Sequence, residues 1–325
     1  MRTHRKGVRR ASVAVFALSL GLLGSAWAAD YPTKPVRLVV PYPAGGGTDF
    51  MARAVAQRLG ESLGQPVIVD NRPAVDGVIG THTVSTARAD GYTLLLVSSS
   101  HTINASLGRK LPYDTLKAFA PVIQTANQQL VLVVHPSVPA KTVKELISLA
   151  HAKPDALNYG SSSNATALPM ELFKSMTRTR IQHVPYKGSA PMLNDLVGGQ
   201  IQLSMGAALA SVPHVRSGRL HALGIAGASR SPAMPDLPTI AEGGVTGYEA
   251  TIWTGILAPT GTPRPIVTRL NADIARILAA RDFRERMIGL GAEPAGGTPE
   301  QWGVFLRNEI SKWARIASAA GIKSE

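Results

Sequence analysis

Val36-Arg37-Leu38-Val39-Val40-Pro41-Tyr42-Pro43-Ala44-Gly45-Gly46-Gly47-Thr48-Asp49 decides the fold. An apolar run ends in proline, three glycines follow, and a helical pattern begins at about Thr48. This predicts a strand, a tight loop and a helix N-terminus. Such a terminus carries unpaired N–H groups and the positive end of the helix dipole, which suits a carboxylate or a phosphate. Glycine lets a ligand approach the backbone with no Cβ in the way. The same residues also serve a plain strand–helix turn that needs positive φ, so the stretch alone leaves both readings open.

Outward from this stretch, short apolar runs alternate with helical patterns, which predicts an α/β protein with mainly parallel strands. Helices are expected over 49–63, 79–87, 142–152, 166–176, 190–197, 265–279 and 299–319. Strands are expected over 36–40, 66–69, 92–97, 122–125, 130–134, 158–161, 201–205, 220–225 and 250–257. Residues 185–188 read as a turn. No linker divides the chain into consecutive halves. Crossings near 127–131 and 247–252 are expected instead, forming a hinge between two lobes. Lobe 1 is assigned to 29–128 and 250–325, and lobe 2 to 129–249.

Residues 1–28 read as a secretory leader. Arg2, Arg5, Lys6, Arg9 and Arg10 precede an apolar run over 11–24, shorter than the ~20 residues of a membrane span. Ala26-Trp27-Ala28 supplies a small-x-small cleavage pattern, so cleavage is expected near Ala28 and the protein in the periplasm. Without those five cations the charge falls from 34 − 21 = +13 to 29 − 21 = +8. The remaining charges are scattered, with no basic block, which argues against nucleic acid. Zero cysteines exclude disulfides, thiol chemistry and a lipid-modified cysteine.

Catalytic and cofactor motifs are missing. No Gly-x-Ser-x-Gly follows a strand, and the histidines lack metal-ligand spacing. Gly45-Gly46-Gly47 has neither the Gly-x-Gly-x-x-Gly of dinucleotide sites nor the Gly-Lys-Ser/Thr of a phosphate-binding loop. No cofactor and no metal are expected. Polar loops do recur at strand ends: 44–49, then Ser98, Ser99, Ser100 and His101, then Ser161, Ser162, Ser163, Asn164 and Thr166. Ligands of open α/β sheets bind at the carboxyl ends of strands. Hydroxyls and N–H groups without an acid/base pair suit holding an anion more than transforming it.

The opening stretch, preceded by Tyr31-Pro32 and Lys34-Pro35, resembles the start of the mature Bug/TctC-type solute-binding proteins. These are the receptors of tripartite tricarboxylate transporters. The similarity continues through Leu63-Gly64-Gln65-Pro66-Val67, Asn71-Arg72-Pro73, Asp90-Gly91-Tyr92-Thr93-Leu94-Leu95 and Leu111-Pro112-Tyr113-Asp114. It extends through Phe119-Ala120-Pro121-Val122, His183-Val184-Pro185-Tyr186-Lys187-Gly188, Pro235-Asp236-Leu237-Pro238-Thr239 and Ala258-Pro259 to Gly261-Thr262-Pro263.

The resemblance implies a two-lobed, type II Venus-flytrap receptor without catalytic activity. It would bind a small organic carboxylate between the lobes as a monomer and serve membrane permease subunits. It carries the ligand grip onto Tyr42, Ala44, Gly45, Gly46, Gly47, Thr48 and Asp49. Because Asp49 is itself anionic, it is expected to cap backbone N–H groups or hold a water. The second and third polar loops face the ligand in this picture. Tyr186 and Lys187 add a lobe 2 turn, and Met205, Gly206 and Ala207 a smaller, less polar wall. That wall favours an acid with an apolar body over citrate. A departure from the family's glycine-rich pattern falls at Ala74-Val75-Asp76-Gly77, where Asp76 would repel an anion if it faced the cleft. Service to a sensor kinase in place of a permease, or an exported enzyme acting on a carboxylate, are the rival readings.

Overall fold

A computed structural model describes residues 31–319; the expected leader and its cleavage site lie outside the described residues. The described chain leads into β1 (Val36–Val40), whose four apolar residues are fully buried while Arg37 reaches solvent beside Asp70. It turns at the glycines into α1 (Gly47–Leu63), which ends at Gly64 in the left-handed conformation, φ 67°. Met51, Ala52, Val55, Ala56, Leu59 and Leu63 lie on one helical face and are buried. Each large side chain among them contributes roughly 1.5–3 kcal/mol by leaving water. β2 (Val67–Asn71), a single turn at Val75–Gly77, α2 (Val78–Ser85), β3 (Thr93–Ser98) and the short α3 (Ser100–Ser106) follow.

The next strand, β4 (Phe119–Val134), is the longest. Then come α4 (Val143–Ala152), β5 (Asn158–Ser161), α5 (Asn164–Thr177), β6 (Gln182–Pro185), α6 (Ser189–Val197), β7 (Leu203–Ala207), α7 (Ala208–Arg216) and β8 (His221–Ile225). A long irregular stretch leads to β9 (Thr251–Pro259). The chain closes with α8 (Arg264–Ala279), α9 (Arg281–Ile288), β10 (Ala292–Gly296) and α10 (Pro299–Ala319).

The strands run in the order β2-β1-β3-β9-β4-β7-β5-β6, with β8 and β10 also paired to β4. The sheet is mixed, which corrects the expectation of mainly parallel strands. The outer pairs β1–β2, β1–β3, β5–β6 and β5–β7 are parallel, while every pairing of β4 and β9 is antiparallel. These two strands break the parallel winding because they carry the chain between the halves of the molecule. The apolar runs over 122–125 and 130–134 are one strand, β4, interrupted in sequence by Asn127-Gln128-Gln129 and continuous in space. Up to Gln129 it pairs with β9, and from Leu130 onward with β7.

Each half has its own buried core. β1, β3, α1 and α8 enclose Leu38, Leu94, Leu96 and Leu270, while β4, β5, α4 and α5 enclose Leu132, Tyr159, Leu146 and Phe173. The architecture is two-lobed α/β. The last helix belongs to both halves: Trp302 and Leu306 pack beside Trp253, and Trp313 enters the other core. Between them Glu309, 6 % exposed, accepts Trp253 Nε1–H at 2.8 Å and Trp313 Nε1–H at 3.0 Å on one oxygen.

Candidate functional site

Four helices begin at one cleft between the lobes. Their N-cap residues, Gly46 of α1, Ser163 of α5, Gly188 of α6 and Ala207 of α7, all line it. At Gly46, Gly188 and Ala207 no side chain caps the helix, so the first-turn N–H groups are left for whatever enters. Tyr42, Pro43, Gly47, Thr48, Ser98, Gln128, Ser162, Ala165, Thr166, Ser189 and Ile252 complete the lining. No Asp, Glu, Lys, Arg or His is among these residues. The site offers the positive ends of four helices, hydroxyls and one buried amide, and an anion needs no more to be held.

The loop before α1 is held from behind by Asp49. Its Oδ2 accepts Gly45 N–H and Arg53 Nε–H, both at 3.0 Å, and its Oδ1 accepts Asn71 Nδ2–H at 3.0 Å. Asn71 also donates to Tyr42 O at 3.1 Å. Burial acts to raise the Asp49 carboxyl pKa, but the bonds from Arg53, Gly45 and Asn71 outweigh it and keep the pKa below the usual range. Asp49 therefore shapes the loop as a capping acceptor and stands outside the cleft lining. Burial pushes the Tyr42 hydroxyl up to about 12, against its hydrogen bond with Ser98, so the phenol keeps its proton.

Across the cleft, Ser189 donates to Ser162 Oγ at 3.2 Å, and the N–H groups of Ser162 and Ser163 reach Thr166 Oγ1 at 3.0 and 3.3 Å. The lobes touch here. Gly188 has φ 125°, and a Cβ placed on it would lie 2.6 Å from Pro43 Cγ.

Of the residues expected at the site, Tyr42, Gly46, Gly47, Thr48, Ser98, Ser162, Ser163, Thr166 and Ala207 converge on this cleft. The others are placed elsewhere. Ala44 and Gly45 are exposed on the loop. Ser99 Oγ accepts Trp253 N–H at 2.9 Å, and Ser100 is buried in the first turn of α3. Ser161 is bonded to His183 Nε2 at 2.7 Å. Asn164 turns its side chain to Asn104 at 2.8 Å. Tyr186 donates to Asp195 at 2.7 Å, and Lys187 is exposed. Met205 belongs to the lobe 2 core, and Gly206 packs against Ser211. Pro43, Gln128, Ala165, Gly188, Ser189 and Ile252 were missed. Gln128 had a signal, an amide breaking an apolar run.

His101 also faces inward. Its Nε2 lies 3.0 Å from Thr115 O, and its ring stacks on Tyr113 with centroids 6.2 Å apart. Burial lowers its pKa to about 4, partly countered by that bond. The unfolded chain therefore takes up this proton at a higher pH than the native one does. Stability is expected to be unaffected above pH 6.5 and to fall as the pH drops from 6.5 to 4, by ~3 kcal/mol in all. Urea titrations at pH 7 and pH 4.5 check this, with His101→Gln expected to flatten the difference. An equal slope in that variant would assign the loss to other groups.

A two-lobed α/β frame whose cleft is ringed by helix N-termini defines a solute receptor of the periplasmic-binding-protein class. The profile of the tripartite tricarboxylate transporter family receptor matches residues 51–322, and the chain belongs to that family. It is 37% identical to the protein BugT of Bordetella pertussis over 317 residues, 96% of this chain and 97% of that one. Among solved structures it is similar to R. palustris Rpa4515 with adipate, at 41% identity and TM-score 0.88, covering 90% of this chain and 99% of the other. It is also similar to the periplasmic binding protein BugD, at 32% identity and TM-score 0.87, covering 91% and 100%.

Proposed function

We propose that this receptor captures a small organic carboxylate in the cleft between its lobes and presents it to the membrane subunits of a tripartite tricarboxylate-type transporter. The convergence of four helix N-termini on one uncharged cleft carries the reading. A carboxylate entering it exchanges water for fixed N–H and hydroxyl donors in a shielded space. The adipate held by the similar R. palustris protein supports the same chemistry. The cleft lining holds no carboxylate, imidazole or amine to act as acid or base, so the ligand is bound and released unchanged. Export with cleavage near Ala28 puts the receptor in the periplasm, as with BugD.

The lobes are assigned as 29–128 with 250–325 and 129–249, the last described helix packing on both. Their hinge lies where β4 changes partners at Gln129 and Leu130 and where the chain re-enters at β9. Ligand binding closes the lobes about it as a monomer. Thr48, Ser98, Gln128, Ser163 and Ser189 supply polar contacts, and Ala207 and Ile252 an apolar wall. Calorimetry of the mature chain against straight-chain, branched and aromatic carboxylates tests this. Micromolar or tighter binding of an acid is expected, with neutral sugars and amines inert. Binding confined to neutral sugars would refute the reading.

A further inference from the structure

The N-terminus of α5 already holds a carboxylate, and it comes from the opposite lobe. Asp76 sits in the turn Val75–Gly77 with φ 48°, a left-handed conformation uncommon outside glycine, and its side chain is 8 % exposed. Its Oδ1 accepts the Asn164 N–H at 2.8 Å, the first residue of α5. Its Oδ2 accepts Arg109 Nη1–H at 2.6 Å. Its backbone oxygen accepts Asn104 Nδ2–H at 3.1 Å, and Asn104 Oδ1 accepts Asn164 Nδ2–H at 2.8 Å. Two buried polar atoms of this cluster, Asn164 Oδ1 and Arg109 Nε, have no partner. Asn164 lies in the chain between Ser163 and Ala165, which both line the cleft.

A helix N–H together with a guanidinium is what the second carboxylate of a diacid seeks at the far end of a cleft. We propose that Asp76 is a built-in substitute for that second carboxylate and makes the receptor select monocarboxylates over dicarboxylates. The inference rests on the carboxylate-receptor reading. With the acid in place, the first N–H of α5 and the Arg109 guanidinium are already taken. A ligand charge brought to Ala165, the residue after the one Asp76 binds, also meets a like charge, an unfavourable interaction that Arg109 only partly offsets. Without the acid, Arg109 and the Asn164 N–H become a vacant anion seat. Asp76 thus acts by occupying donors, and it does not line the cleft.

Calorimetry of the whole mature chain with matched straight-chain mono- and dicarboxylates of four to eight carbons tests this. The wild type is expected to bind the monocarboxylate of its best pair about tenfold more tightly than the dicarboxylate. Asp76→Gly, which accepts φ 48°, is expected to move that ratio about tenfold or more towards the dicarboxylate. Asp76→Asn, which tolerates the same conformation and removes only the charge, moves it the same way by less, and keeps the test decisive if the glycine variant folds poorly. A structural role alone weakens both acids equally and leaves the ratio in place, and that outcome overturns the proposal. So does a wild type that prefers the dicarboxylate. If the wild type binds acids but the variants keep its ratio, the selectivity claim alone fails. If it binds no acid of either kind, the receptor reading fails and takes this inference with it.

Discussion

Gly188→Ala is expected to lower carboxylate affinity by about 100-fold, ~3 kcal/mol, while the lobes stay folded. The closed cleft brings Gly188 against Pro43, and the added Cβ would stand 2.6 Å from Pro43 Cγ and 3.1 Å from Pro43 Cβ. No rotamer relieves a Cβ, so the lobes must part, and the donors of α1 then draw away from those of α5 and α6. The backbone at φ 125° adds strain of roughly 1–3 kcal/mol within lobe 2, which shows in the melting temperature as well as in binding. A second change separates the two effects. Pro43→Ala removes the nearest carbon, so Pro43→Ala/Gly188→Ala should recover part of the affinity but none of the melting temperature, a coupling measurable as a double-mutant cycle. Full affinity in Gly188→Ala would show that the ligand is held with the lobes farther apart.

Glu309→Ala is expected to cost about 3–5 kcal/mol of folding stability. The residue is 6 % exposed, and one carboxylate oxygen accepts the indole N–H groups of both Trp253 and Trp313. Removing it leaves two buried donors unpaired, at roughly 1–3 kcal/mol each, and opens a cavity between the cores. Glu309→Gln keeps an acceptor in place and should cost less than half as much. Chemical denaturation decides: a loss below about 1 kcal/mol for Glu309→Ala would mean that water replaces the carboxylate and that the two tryptophans are held by packing alone.

Much of this design was legible before the fold was known, for physical reasons. β3, and β1 apart from Arg37, are apolar on both faces because helices cover both sides, so they read as near-continuous runs. Gly45-Gly46-Gly47 announced a close backbone approach. His101 misled because a polar side chain after a strand reads as a loop residue, whereas it lies on α3 and faces Thr115 and Tyr113. α7 was hidden by Pro213 within it, and β10 by Pro294 and Gly296. Such residues are tolerated where tertiary packing supplies what local propensity lacks. Gln128 and Ser189 reach the cleft only through long-range pairing, β4 against β9 and α6 against the α1 loop, which no local pattern encodes.

The strand shared by both halves also governs the order of events when the chain first folds. β4 has its lobe 1 partner in β9 and a second one in β10, both supplied by the last third of the chain. α10 then sets its tryptophans into both cores. The first half cannot complete its sheet, nor either half its core, until the last third of the chain is present. Completion of lobe 1 therefore waits for the last third of the chain, and the two halves are locked together last. Cooperativity is thereby postponed to the final helix, whose tryptophans make the stability of one half depend on the other.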